Sequence, residues 1–373
     1  MPMAVEGAGM SDSREADGRP LTDRFSKRAG IAVAVVVGFV TLAGARLVFP
    51  DTIAGDLFAI VTDRTTLGAA LRFAVPITLA ALGGIFAEKS GVINIGLEGL
   101  LIISAFTAVY ATDTIAGEGA ATQPELWLGL LAGVAASTLL AGLFAVVCIE
   151  FRADQIIAGL AVWLIALGLA PFASQVVYDG PNTASVTTPA TVTIPVLAEI
   201  PFFGALFDAS PFVYLMFLAV GLSWYTLNRT AFGRHVRAAG ENPKALDTAG
   251  VSVSRVRYVA VLLSGVLSGV GGGALALSIG QFTGNGPTMV NGKGFIAIVT
   301  YLFGNYNPVG AFLSALLFAG LDALQFSLQT VGTGLPSSLV RVIPFVTVVL
   351  VLALVGRTRI PEAAGDHYES GED

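Results

Sequence analysis

Few side chains in this 373-residue chain can do chemistry, and the informative ones sit inside long apolar runs. Glu98 lies within the run 92–111, four residues after Asn94. At that spacing the two share one face of a helix. Asp322 and Gln325, with Gln329 one turn on, make a second polar stripe within 308–329. An ionisable group in such a run costs about 2.5–3.5 kcal/mol on insertion scales and turns toward a cavity or a partner. Two readings of Asn94 and Glu98 stay open: they line a route for a polar solute, or they hydrogen-bond a neighbouring helix. Arg72 and Arg341 are the candidate partners for Glu98 or Asp322, and pairing is the plainer reading. Asn285 belongs, with Asn291 and Lys293, to the glycine-rich segment GQFTGNGPTMVNGKG, placed to gate or line such a route from the outer side.

Other chemistries lack their residues. Cys148 stands alone in an apolar run, which excludes a disulfide framework and a thiolate metal cluster. The two histidines, His235 and His367, do not make a metal site by themselves. Gly286-x5-Gly292-Lys293-Gly294 resembles a phosphate loop, but it is one residue too long and no Ser or Thr follows the lysine. The chain therefore carries no nucleotide site of its own. Neither a G-x-S-x-G elbow nor an H-E-x-x-H pair is present, so an intramembrane hydrolase has no visible machinery.

The elements that must hold these residues are membrane spans. Hydrophobic residues make up 54% of the chain and charged ones 12%, with a mean hydropathy of +0.78. A soluble domain carries roughly a quarter charged residues. The apolar runs are continuous rather than alternating, which indicates an all-α polytopic membrane protein and not a β-barrel. Runs of spanning length occur at 30–50, 66–87, 92–111, 126–149, 155–177, 211–228, 257–279, 308–329 and 338–355. A shorter run, 294–304, reads as a tilted short span or a re-entrant helix. Counted as a crossing, it brings the total to about ten transmembrane helices with both termini cytoplasmic. The expected organisation is a disordered tail over 1–29, a membrane domain over 30–355 and an acidic, solvated tail over 356–373. Glycine ladders such as Gly129/Gly133 and Gly265/Gly269/Gly273 read as close helix packing.

Charge tests this count. Lys89, Arg152, the central loop and Arg357 with Arg359 all fall on the inner side, whereas the outer loops 112–125 and 178–210 contain no Lys or Arg. That asymmetry follows the retention of positive charge in the cytoplasm. The long proline-containing loop 178–210 reads either as a docking surface for a delivery protein or as a plain external loop.

The central loop, Arg229 to Arg257, is the most polar stretch between spans. Arg229, Arg234, Arg237, Lys244, Arg255 and Arg257 lie in it. Asn242 suits an N-cap, Pro243 the first helical position, and Gly250 the left-handed position past the end. Leu246 and Ala249, three apart, would give this short helix an apolar contact with a partner.

Together these stretches carry a resemblance. SGVINIGLEGLLIISAF, TAFGRHVRAAGENPKALDTAGVSVSRVRYVAVLLSGVLSGVGGGAL and GKGFIAIVTYLFGNYNPVGAFLSALLFAG resemble the permease subunits of nucleoside and simple-sugar ABC importers, which are related to ribose and branched-chain amino-acid permeases. The resemblance covers about 66 to 355. The segment 155–177 departs from the family pattern in being more apolar. The resemblance implies a multi-pass plasma-membrane subunit, not itself an enzyme, that works by alternating access. Its implied partners are a second permease, cytoplasmic ATPases that bind the ATP, and an extracytoplasmic substrate-binding protein; no nucleic acid and no cofactor in this chain are implied. By the same resemblance, Glu241, Asn242, Pro243, Lys244, Leu246, Ala249 and Gly250 belong to a coupling helix lodged in an ATPase groove. Asn94, Glu98, Asp322, Gln325 and Asn285 are the expected solute pathway. A competing reading is an ion-coupled secondary transporter with Glu98 and Asp322 as coupling carboxylates.

Overall fold

The computed structural model describes residues 58–331, 346 and 359–369. The chain divides into two compact units, 1–59 and 60–373, and the elements that follow all belong to the second. Among the described residues seven helices are long and apolar enough to cross a membrane. In chain order they are α1 (Arg64–Lys89), α2 (Leu97–Ala116), α3 (Gln123–Ala145), α4 (Gln155–Tyr178), α5 (Pro211–Arg229), α8 (Val253–Ile279) and α10 (Pro308–Val331). Two short helices, α6 (Ala231–Glu241) and α7 (Pro243–Thr248), form the central loop, and α9 (Lys293–Phe303) precedes α10. The expected N-terminal tail and the runs 30–50 and 338–355, with Arg341 and Arg357, lie outside the described residues.

Local chemistry sets the helix starts. Asp63 caps α1 by accepting from the amide of Thr65 at 2.6 Å. The Thr65 hydroxyl also donates to it, and these two bonds hold the Asp63 carboxyl below its usual range. Thr122 and Glu125 form a reciprocal capping box at α3. Asp154 accepts from the amides of Ile156 and Ile157 to start α4.

One span begins later than its apolar run. The run 92–111 becomes a helix only at Leu97, and residues 92–96 are non-helical. The reason is Asn94, whose Oδ1 accepts from the Gly96 amide at 3.0 Å and turns the chain before the helix starts. Asn94 and Glu98 therefore do not share a helical face, which corrects the expectation from their spacing. The turn is covered by α4: Gln155 Oε1 accepts from the Ile93 amide at 2.7 Å. A Cβ on Gly99 would sit 2.8 Å from the Val162 carbonyl, so only glycine permits this approach.

Helix α8 is the hub, packing on α1, α2 and α3, while α1 also carries α10 and α9. The glycine ladder does the packing expected of it. A Cβ at Gly265 would fall 2.6 Å from Ala141 Cβ, and one at Gly269 would fall 2.8 Å from Val134 Cα. Ser137 Oγ donates to the Gly265 carbonyl at 2.9 Å, and Ser104 Oγ to the Gly269 carbonyl at 2.5 Å. In hydrocarbon such close approach replaces the hydrophobic drive that water would supply.

The bundle has two chemically distinct ends. Arg257, at the start of α8, donates through Nε to the Ser90 carbonyl just past α1. Tyr258 donates to Glu150 just past α3. These contacts gather Lys89, Arg152 and the central loop at one end. At the opposite end Tyr178 donates to Asp113 at 2.8 Å, and Gln123 Nε2 reaches the Thr188 carbonyl at 3.3 Å. The loops 112–125 and 178–210 thus meet there. The long loop is folded: Val186 donates to the Gly280 carbonyl at 2.7 Å, and Val192–Thr193 pairs antiparallel with Asp208–Ala209.

The tightness of the hub is measurable. Gly265→Ala is expected to lower the detergent unfolding temperature by several degrees, because the added carbon meets α3. Gly168→Ala, where nothing lies within 4 Å, should be neutral or slightly stabilising. Equal unfolding temperatures for the two variants would contradict the packing described.

Candidate functional site

The segment that breaks helical structure between α8 and α9 is answered by Glu98. Helix α9 begins after Gly292, which adopts a left-handed φ of 82° and supplies no side chain to cap it. The Glu98 carboxylate does so from α2: Oε1 accepts from the Gly292 amide at 2.7 Å and Oε2 from the Gly294 amide at 2.5 Å. A negative group at a helix N-terminus also interacts favourably with its dipole. Gly294 allows the approach, since a Cβ there would overlap the backbone of Glu98. Asn94, beside this junction, donates from Nδ2 to Ser264 Oγ at 3.1 Å, tying the turn to α8. Both side chains are buried, Asn94 at 1% and Glu98 at 2% exposure, so their hydrogen-bonding capacity goes largely to the fold.

Lys293 lies within electrostatic reach of two carboxylates, Glu98 and Asp322. Its Nζ also donates to the Val290 carbonyl at 3.2 Å. Asp322 and Gln325 are half-buried on α10, and Gln329 is exposed. The predicted pairing of Arg72 with Glu98 or Asp322 is not formed. Arg72 is exposed on α1, and Lys293 takes the role of the nearby cation. Asn285 is exposed in the preceding loop and joins none of these contacts.

A second buried cluster escaped the sequence reading. Glu88 is the penultimate residue of α1 and is 6% exposed. Tyr301 donates to its Oε1 at 2.5 Å and Tyr306 to its Oε2 at 2.6 Å. Burial, then the adjacent carboxylate, raises the Tyr306 phenol above its usual range. This lock fixes the far end of α9 to α1. Together with the pairing of residues 280–284 to 181–186, it carries segment 280–306 from one end of the bundle to the other. The linear signal was slight: a glutamate at the end of an apolar run and two tyrosines five residues apart.

The central loop has the predicted caps. Asn242 Oδ1 accepts from the Ala245 amide at 3.0 Å, Pro243 is the first residue of α7, and Gly250 has a φ of 80°. Leu246 corrects the expectation, being 5% exposed and part of the chain's own core. It holds α7 to its own bundle rather than offering a face. The exposed residues are Glu241, Asn242, Lys244, Ala245, Thr248, Ala249 and Gly250.

The C-terminal segment is likewise not a solvated end over its described part. Ala363 donates to the Gly240 carbonyl at 2.8 Å and Gly365 to the Gly91 carbonyl at 3.0 Å. Arg257 Nη1 donates to the Asp366 carbonyl at 2.9 Å, Tyr368 donates to Asp247 at 3.0 Å, and Arg152 pairs with Glu369 at 2.5 Å. Backbone hydrogen bonds do most of this docking, with Arg152–Glu369 as the ion pair among these contacts.

Among the described residues, then, seven span-length helices enclose a buried carboxylate that starts a neighbouring helix, and a short capped helix lies at the basic end. Residues 66–352 match the family described as branched-chain amino acid transport system / permease component, and the chain belongs to that family. It is 39% identical over 312 residues to the guanosine ABC transporter permease protein NupQ of Bacillus subtilis, covering 82% of this chain and 96% of the relative. It is 37% identical to the nucleoside ABC transporter permease protein NupC of Lactococcus lactis subsp. cremoris, over 80% and 94% of the two chains. The putative glucose ABC transporter permease protein TsgC13 of Haloferax volcanii is 33% identical over 72% and 79%. No solved structure matches. The chain is a multi-pass plasma-membrane permease subunit of an ABC importer.

The tyrosine lock gives a direct test. Tyr301→Phe leaves one oxygen of a buried carboxylate without its donor, a loss of about 1.5–3 kcal/mol for a bond to a charged group. The unfolding temperature should fall clearly in Tyr301→Phe. Combined with Glu88→Gln, the two effects should be far less than additive. Full additivity would show that the two side chains do not act on each other.

Proposed function

We propose that this chain imports a nucleoside, by alternating access, in a complex with a second permease, cytoplasmic ATPases and an extracytoplasmic binding protein. The observation that carries the solute class is the identity with guanosine and nucleoside permeases over nearly their whole length. The driving force is ATP hydrolysis in a partner subunit. Supporting this over ion coupling, both oxygens of Glu98 already accept backbone amides, an arrangement suited to holding a helix rather than to exchanging a cation.

The same reading places the basic end in the cytoplasm, with ten crossings and both termini inside. Helix α7 meets the ATPase through its exposed side, Lys244, Ala245, Thr248 and Ala249, while Leu246 anchors it behind. The pathway runs past Glu98, Asn94, Asp322 and Gln325, with Asn285 toward the outer mouth. The folded loop 181–209 faces the binding protein.

Two measurements test this. A cysteine at residue 190 should label from outside, and one at residue 245 only after permeabilisation; the reverse pattern would overturn the orientation. Ala245→Arg should leave the permease inserted while nucleoside uptake and solute-stimulated ATP hydrolysis fall together by tenfold or more. Leu246→Asp should instead reduce the amount of folded permease, because a charge enters the chain's own core. Normal coupled uptake in Ala245→Arg would remove α7 from the ATPase contact.

A further inference from the structure

We propose that the groove around Arg72 is a solute-recognition site that takes the acceptor edge of a purine base. The inference deepens the nucleoside reading and rests on it. Arg72 lies eight residues into α1, about 12 Å from the helix start at 1.5 Å per residue. It is exposed and has no hydrogen-bond or ion-pair partner among the described residues. Its charged neighbours at that end are committed. Arg64 pairs with Asp208 at 2.8 Å, and Asp63 accepts from Thr65. A guanidinium within a span is costly against lipid, so the face that carries it looks onto water or solute.

The surroundings are those of a ligand site. Arg72 lines a groove of about 270 Å³ with Asp63, Thr65, Thr66, Phe326, Ser327 and Thr330. Its two walls are α1 and α10, tied by the contact of Thr66 Oγ1 with Ser327 Oγ at 3.2 Å. Phe326 is 63% exposed and offers an aromatic face. A forked guanidinium suits two adjacent planar acceptors, such as O6 and N7 of a purine, and an aromatic ring stacks on a base. The Thr65 and Thr330 hydroxyls donate to Asp63 and to the Phe326 carbonyl, and Thr66 and Ser327 bond each other, so they meet a ribose through their remaining acceptor lone pairs. The volume lies just below the usual range of about 300–1,000 Å³ for ligand pockets, enough for one nucleoside. The site also continues into the polar stripe, because Asp322 lies one helical turn from Phe326 on α10 and within reach of Lys293. A solute released from this groove enters the stretch lined by Asp322 and Gln325.

The test compares guanosine with 7-deazaguanosine, in which a C–H replaces N7. Uptake is measured with the full transporter, co-expressed with its ATPase and binding protein, for wild type, Arg72→Gln, Arg72→Lys and Phe326→Leu. Permease in the membrane is quantified for each. The wild type should show a KM for guanosine at least fivefold below that for 7-deazaguanosine. In Arg72→Gln and in Arg72→Lys, which keeps the charge but loses the fork, that ratio should collapse toward one. Phe326→Leu should raise both KM values alike. The binding protein is the same throughout, so a change in the ratio reads the permease alone. Guanosine uptake with the ratio unchanged in both Arg72 variants, or a wild-type ratio of one, overturns this site and leaves the nucleoside reading standing. Uptake of glucose with no nucleoside uptake overturns that reading and the site with it.

Discussion

Backbone that leaves the helix inside a membrane must have its amides answered by protein, because lipid offers no hydrogen bonds. Among the described residues, two non-helical stretches between packed helices, 91–96 and 280–292, have amides met in this way. Side chains answer each break, Asn94 from within the first and the others from neighbouring helices. Gln155 takes the Ile93 amide, Asn94 takes the Gly96 amide, and Glu98 takes the amides of Gly292 and Gly294. The two breaks therefore support each other: the helix that starts after the first supplies the carboxylate that starts the helix after the second. The same junction needs glycine at 294, since any side chain there would meet Glu98.

Around this junction the bundle is built for close approach rather than for a large apolar core. Small residues on α8 bring α3 within carbon contact, and serine hydroxyls fill the remaining gaps with bonds to backbone carbonyls. The two ends then differ in kind. The loop end is basic and tied by Arg257, Tyr258 and the segment 359–369. The opposite end holds folded loops and a groove lined by Arg72, which has no ion-pair partner among the described residues. Glu98 and Lys293 lie between the two ends, at the start of α9.

Much of this was legible in the sequence, for physical reasons. Continuous apolar runs located the helices, because hydrocarbon demands them. Asn242, Pro243 and Gly250 located α7, because helix ends have strict local chemistry. The glycine ladder announced close packing. What stayed hidden were relations between distant segments. Spacing placed Asn94 and Glu98 on one face, but an asparagine side chain can capture its own backbone and stop a helix. Periodicity gave Leu246 an outward role, but six residues do not say which side is covered. The acidity of 356–373 suggested solvation, yet over 359–369 amides bond to the Gly91 and Gly240 carbonyls, and the Asp366 carbonyl and Glu369 bond to Arg257 and Arg152, all far away in sequence. Glu88 and its tyrosines are separated by more than two hundred residues, and no local rule joins them.

The central claim is that Glu98 holds the start of α9, and amide hydrogen exchange on the purified permease tests it most directly. In Glu98→Gln, one amide of the Gly292–Gly294 pair faces an NH2 group instead of an oxygen. Residues 290–296 should then lose protection well before α8 or α1 changes. Unaltered protection across 290–296 in Glu98→Gln, with the rest of the bundle intact, would contradict the account.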